Sequence, residues 1–230
     1  MERERTIAIK QAVLAKNDAE AESFRAALAQ EGTHFTDVMA SPGAGKTTLL
    51  LALIERLRED CSIGIIEADI ASFVDSEKIK AADIPVVQLQ TQGICHTEMG
   101  MVKRAWNAFA GAHFDHLFLE NIGNLVCPAD FDTGAHTRIM LLSVPEGYDK
   151  VYKYPPMFAV VDALVVTKTD YLPLNPDFDM AALKDRARVL NPGLEIFETC
   201  ARTGEGVDEL ARWLEKRRAD LLAGREPAGL

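Results

Sequence analysis

Residues 37–57 read DVMASPGAGKTTLLLALIERL. An apolar run gives way to small residues, then to Gly-Lys-Thr, then to Leu49, Leu50, Leu53, Ile54 and Leu57 at helical spacing: strand, loop, helix. The loop has the composition that a bound phosphate demands. Gly43 and Gly45 permit a tight turn, so the backbone N–H groups of Gly43, Ala44, Gly45, Lys46, Thr47 and Thr48 can converge on an anion. Lys46 is placed to meet the β- and γ-phosphates, Thr47 to offer its hydroxyl to Mg²⁺, and the helix N-terminus adds partial positive charge. The usual first glycine of such a loop is Ala40 here, which is tolerable where φ is negative. A glycine-rich turn that merely joins strand to helix is the competing reading, and this context disfavours it.

Similar apolar runs recur at SIGIIEA, PVVQLQ, HLFLEN, VDALVVT and LEIFET, mostly separated by helical spacing of Leu, Ala and Ile. That alternation predicts an α/β fold with a mostly parallel central sheet flanked by helices, the three-layer arrangement of phosphate-loop NTPases. Asn17, with Glu20 three residues on, predicts a helix cap and a helix over 17–31 that ends at Gly32, with Ala21, Phe24, Ala27 and Leu28 on one face. A last helix is predicted over 207–222, with a frayed tail at 223–230. No repeat or linker divides the chain, so residues 1–230 read as a single domain.

The balance of 25 basic against 35 acidic residues gives a net charge of −10, which opposes attraction to nucleic acid or to an anionic membrane. No apolar run approaches bilayer-spanning length, and the charged start MERERTIAIK lacks the apolar segment of a signal peptide. Four separated cysteines read as free thiols or metal ligands in a reducing, cytoplasmic setting.

The segment VVTKTD identifies the base. Asp170 can accept from guanine N1–H and N2–H₂, which adenine does not present in that form. Thr167 stands where an asparagine is usual, with Lys168 following, and this predicts a weaker guanine preference. In ETCARTGEG the N–H of Ala201 is placed to meet guanine O6. For Mg²⁺, Asp69 and Glu120, each at the end of an apolar strand, join Thr47 as candidate ligands, and Gly123 is placed to sense the γ-phosphate. Lys46 and Asp69 are the catalytic candidates. No residue is an evident water-positioning base, so slow GTP hydrolysis is expected.

Cys95 and His96 adjoin in TQGICHTEMG, residues 91–100. A thiolate and an imidazole suit Ni²⁺ or Zn²⁺, but chain neighbours point apart and cannot easily close a coordination sphere alone. A nucleophile–base pair or two bystanders are the alternatives. SPGAGKTTLL, IIEADIA, PVVQLQTQGICH, LENIGNLVCPADFD, KYPPMFAVVDALVVTKTD and ARTGEG together resemble the HypB family, the nickel-incorporation GTPases of nickel–iron hydrogenase. The resemblance covers about residues 17–215. It implies GTP and GDP as ligands, a homodimer when GTP is bound, and a Ni²⁺ or Zn²⁺ site at the dimer interface built from Cys95, His96 and Cys127. Hydrogenase maturation proteins and the hydrogenase large subunit are the implied partners. The start of the chain has neither the Cys-rich nor the His-rich segment of many members, so a separate tight nickel site is not expected. Two rivals remain: an accessory GTPase for another metalloenzyme such as urease, and a nucleotide-gated metal-binding scaffold with negligible turnover. Urease accessory proteins place a proline between Cys and His, which GICHTE lacks.

Overall fold

The first strand, β1 (His34–Ala40), is buried along its whole length, as a central parallel strand covered on both faces must be. The computed structural model describes residues 2–69, 83–91 and 93–224, with side chains from residue 11 onward. Six further strands are β2 (Ile63–Asp69), β3 (Val86–Gln90), β4 (His116–Gly123), β5 (Thr137–Ser143), β6 (Ala163–Thr167) and β7 (Glu195–Glu198). They form one sheet in the order β3-β2-β4-β1-β5-β6-β7, and every pairing is parallel. The longer helices are α1 (Glu2–Glu31), α2 (Lys46–Leu57), α3 (Met99–Ala108), α4 (Met180–Leu190) and α5 (Val207–Leu222).

Strand alternation sorts the core into two faces. Val38 and Ala40 of β1, Ile63 and Ile65 of β2 and Phe118 of β4 meet Leu50, Leu53, Leu210 and Leu214 of α2 and α5. On the other face, Phe35, Leu117 and Leu119 lie under α1 and α3. Met140, Leu142, Leu164 and Val166 lie there under α4 and two short helices, Lys150–Lys153 and Pro155–Ala159. Helices on both faces of a parallel sheet make the three layers that the sequence predicts. The loop between β1 and α2 leaves the carboxyl end of β1, where the strand order reverses and ligands bind in such sheets.

Two elements differ from the sequence reading. TRIMLLS, absent from the expected strands, is β5, a central strand beside β1. Its Met and Leu content suits a helix as well as a strand, and its Arg138 looks exposed until the ion pair to Asp132 (3.0 Å) is seen. The helix expected over 17–31 begins at Glu2, so Asn17 lies inside it and does not cap it. Nothing in residues 2–16 breaks a helix, and the cap signature at Asn17 is a local coincidence. At the other end α5 stops at Leu222, and residues 225–230 of the expected frayed tail lie outside the described residues.

One irregularity positions the site. Val38 pairs with Glu120 but Ala40 pairs with Gly123, so β4 uses one residue more than β1 over that step. Such a bulge redirects side chains next to functional sites.

Candidate nucleotide and metal site

Gly43 (φ 79) and Gly45 (φ 99) both take left-handed backbone, and Gly45 caps α2. Ala40 closes β1 in extended backbone, which a methyl group does not hinder. The loop is braced from three sides. The Ser41 hydroxyl donates to the carboxylate of Glu146, which also accepts from Ser143 N (2.9 Å) and Oγ (2.7 Å) at the end of β5. Thr167 Oγ1 donates to the carbonyl of Ala44 (2.7 Å), and Lys168, itself at φ 57, donates through Nζ to the carbonyl of Gly43 (2.7 Å). Gly123 abuts the loop so closely that a Cβ there would lie 2.9 Å from Pro42 N. The sequence reading treats Thr167 as a base contact. In the structure its hydroxyl is bonded to the phosphate loop.

Inside this frame, Thr47 Oγ1 donates to Glu120 Oε1 at 2.7 Å, both residues being buried. A hydroxyl and a carboxylate in contact at the mouth of a phosphate loop form the all-oxygen donor set that suits Mg²⁺, so these residues fit the ion. Asp69 ends β2 opposite Gln90 of β3. Glu67, which the sequence reading passed over, is buried in β2 directly across from Glu120. Its signal was visible: a charged residue at an inward position of IGIIEAD.

Beyond the loop lies a pocket of about 200 Å³ lined by Ala44, Gly45, Thr48, Lys168, Asp170 and Ala201, among others. Asp170 accepts from the Arg202 guanidinium (2.8 Å) and from the Cys200 thiol (3.3 Å). A guanine entering this pocket would compete with Arg202 for the same carboxylate.

The thiols of Cys95 and Cys127 lie 2.9 Å apart, although 32 positions separate them in the chain. Their loops leave the carboxyl ends of β3 and β4, which flank β2. Contact with the Cys127 sulfur, and then burial, pushes the Cys95 thiol above its ordinary range. His96 does not join them: its ring stacks on Phe131 (3.8 Å between centroids, 17° between planes), and partial burial lowers its pKa. Among the described residues no three His, Cys, Asp or Glu side chains converge as a metal cage. Two of the three candidate ligands come together within the chain, and the third is turned aside.

Residues 35–198 match the family model described as CobW/HypB/UreG, nucleotide-binding domain. The hydrogenase maturation factor HypB of Azotobacter chroococcum mcd 1 is 41% identical over 221 residues, covering 96% of this chain and 72% of that protein. The chain belongs to the HypB family. Two solved members resemble this fold. HypB from Helicobacter pylori in complex with nickel has a TM-score of 0.86 at 30% identity, covering 94% of this chain and 99% of that one. HypB from Archaeoglobus fulgidus has a TM-score of 0.81 at 34% identity, covering 89% and 99%. In this HypB-family chain, sequence reasoning missed Glu67, Glu146 and Arg202. It also missed a buried set around β4: Asp37, Thr97, Asn121 and Thr133. Their partners are far away in sequence, so only the fold reveals them.

Proposed function

We propose that GTP, held by the phosphate loop of residues 41–48 and read by Asp170, controls a nickel site that Cys95, His96 and Cys127 form when two copies of the chain meet. The chain is a GTPase, and its task is nickel delivery in hydrogenase maturation. The observation that carries the proposal is the contact of two thiols at 2.9 Å, one of them, Cys127, on the loop that continues directly from β4. That same strand presents Glu120 to Thr47. Two thiolates leave a Ni²⁺ or Zn²⁺ ion short of a coordination sphere, and a two-fold axis supplies the remainder from the second copy.

Each residue then has a task. Loop N–H groups and Lys46 neutralise charge that grows on the phosphate oxygens as the terminal bond breaks. Thr47 and Glu120, with Asp69 at the end of β2, would hold Mg²⁺, which supplies further neutralisation at the β- and γ-phosphates. Asp170 accepts from the guanine N–H groups and the Ala201 N–H meets O6. Gly123 reports the presence of the γ-phosphate. Hydrolysis loosens the dimer and releases nickel to hydrogenase maturation proteins. The working place is the cytoplasm, consistent with four free cysteines, and no helix among the described residues is long and apolar enough to cross a membrane.

Size-exclusion chromatography with a GTP analogue and Ni²⁺ tests this, comparing the native chain with Cys95→Ala. The native chain is expected to dimerise and bind metal, and the variant to lose the metal. A chain that stays monomeric, with metal stoichiometry unchanged in Cys95→Ala, would overturn the interface model. Lys46→Ala should lower GTP turnover on the order of a hundredfold or more, measured as phosphate release.

A further inference from the structure

Four residues at the end of β4 touch both halves of the site. Glu120 accepts from Thr47 beside the phosphate loop (2.7 Å). Asn121, on the opposite face, is buried and fully bonded. Its Oδ1 accepts from Thr97 Oγ1 (2.8 Å) and Ile122 N (2.9 Å), and its Nδ2 donates to both oxygens of Asp37 (3.1 and 3.2 Å). Asp37 also accepts from Thr133 Oγ1 (2.8 Å). Gly123 lies against Pro42 with no room for a methyl group. Asn124 follows it. Its Nδ2 donates to the carbonyl of Cys95 (2.9 Å), and its Oδ1 accepts from the N–H of Val126 (2.9 Å), the residue before Cys127.

We infer that Asn124, supported by Asn121, is the positioning residue through which nucleotide state reaches the metal-binding thiols. One carboxamide is bonded to the backbone of both thiol-bearing segments, and its chain neighbour is pressed on the phosphate loop. Any displacement of Gly123 toward a γ-phosphate therefore displaces both thiol segments together, changing the spacing or aim of Cys95 and Cys127. Asn121 is the fulcrum. Its bonds to Thr97 and Asp37 anchor the Cys95 loop and β4 to β1, and the bulge allows Asn121 and Ile122 to serve the same core face. Coupling between sites requires an element with contacts to both, and this segment is one.

The inference rests on the proposed nucleotide-controlled nickel site, and the experiment separates the two. Ni²⁺ affinity is measured by competition with a chromophoric chelator, with GDP and with a non-hydrolysable GTP analogue, for the native chain, Asn124→Ala, Asn124→Asp and Thr97→Val. The native chain is expected to bind Ni²⁺ with affinities that differ between the nucleotides by about fivefold or more. In the Asn124 variants that ratio is expected to collapse toward one while GDP affinity stays native. Thr97→Val, which keeps the shape and removes one donor, is expected to reduce the ratio part-way. A native ratio retained in both Asn124 variants, or a metal affinity lowered equally in both nucleotide states, overturns the relay and leaves the parent reading standing. A native chain whose Ni²⁺ affinity ignores the nucleotide overturns both.

Discussion

At Asp170 the carboxylate proposed to read guanine is already bonded by Arg202 and Cys200. Thr167, three positions earlier, gives its hydroxyl to the carbonyl of Ala44. On the proposed reading, the two residues separate selectivity from general affinity. Asp170→Asn replaces an acceptor with a donor where guanine presents N–H groups, so GTP affinity should fall on the order of a hundredfold, with xanthine nucleotides gaining. Thr167→Val leaves the Ala44 carbonyl short of a partner and should weaken GTP and XTP alike, by about tenfold. Titration of both nucleotides against both variants checks this, and a Thr167→Val protein that discriminates the bases differently from the native chain would contradict the assignment. Asp170 stands out in the sequence as the candidate base reader because few side chains can read the guanine edge. Arg202 was not, because its ion pair exists only where the loops after β6 and β7 come together.

Among the elements, α1 shows how a local signal can be right in chemistry and wrong in address. Asn17 does cap a helix, but the helix is α3: its Oδ1 accepts from Met99 N (2.9 Å), one of the first-turn donors that α3 cannot satisfy itself. Its Nδ2 donates to the carbonyl of Asp132 (2.8 Å), tying α1 to the segment that follows Cys127. Arg25 reinforces the same join through Asp132 (2.7 Å). Asn17→Ala strands a buried N–H and a half-buried carbonyl, and should cost about 1–3 kcal/mol, read as a lower midpoint in urea unfolding. Asn17→Asp keeps the acceptor for Met99 and should cost less than the alanine; the reverse order would move the weight to side-chain bulk. The phosphate loop and the parallel strands were legible because their periodicity and glycines are written in consecutive residues. The asparagines of α1 and β4 were not, because a carboxamide carries no pattern until the fold supplies its partners.

On the scale of the whole molecule, the end of the sheet away from the nucleotide gathers three histidines, His34 and His116 buried and His136 half-buried. His34 and His116 pair across β1 and β4, and His136 stacks on His34, with ring centroids 5.5 and 5.8 Å apart. His136 accepts from Phe35 N (3.0 Å) and so donates through Nε2 to the carbonyl of Arg25 (3.0 Å), which fixes it neutral. Burial, then nearby Arg218, lowers His116 to about 4 from an ordinary 6.5. Burial is also the main cause that lowers His136 to about 4, and it takes His34 well below its ordinary value, with His116 and His136 adding to the effect. Between about pH 6.5 and 4 the unfolded chain binds protons that these rings refuse, so their stabilisation is complete above that window and lost as pH falls through it. For His116 and His136, shifts of that size are on the order of 3 kcal/mol each. Asp37 opposes them: burial raises it from 3.8 to about 6, so the folded chain takes up its proton first and gains stability on acidification. One carboxylate does not offset three imidazoles, and the net result is acid lability. His116 is the ring to remove, since neither of its nitrogens has a partner among the described residues and it stacks on Phe118. His116→Leu should therefore be tolerated at pH 7 and should flatten the fall in unfolding free energy below pH 6.5 by about one proton's worth of slope. Urea unfolding of both chains at a series of pH values reads this directly, and parallel pH profiles would take His116 out of the acid response.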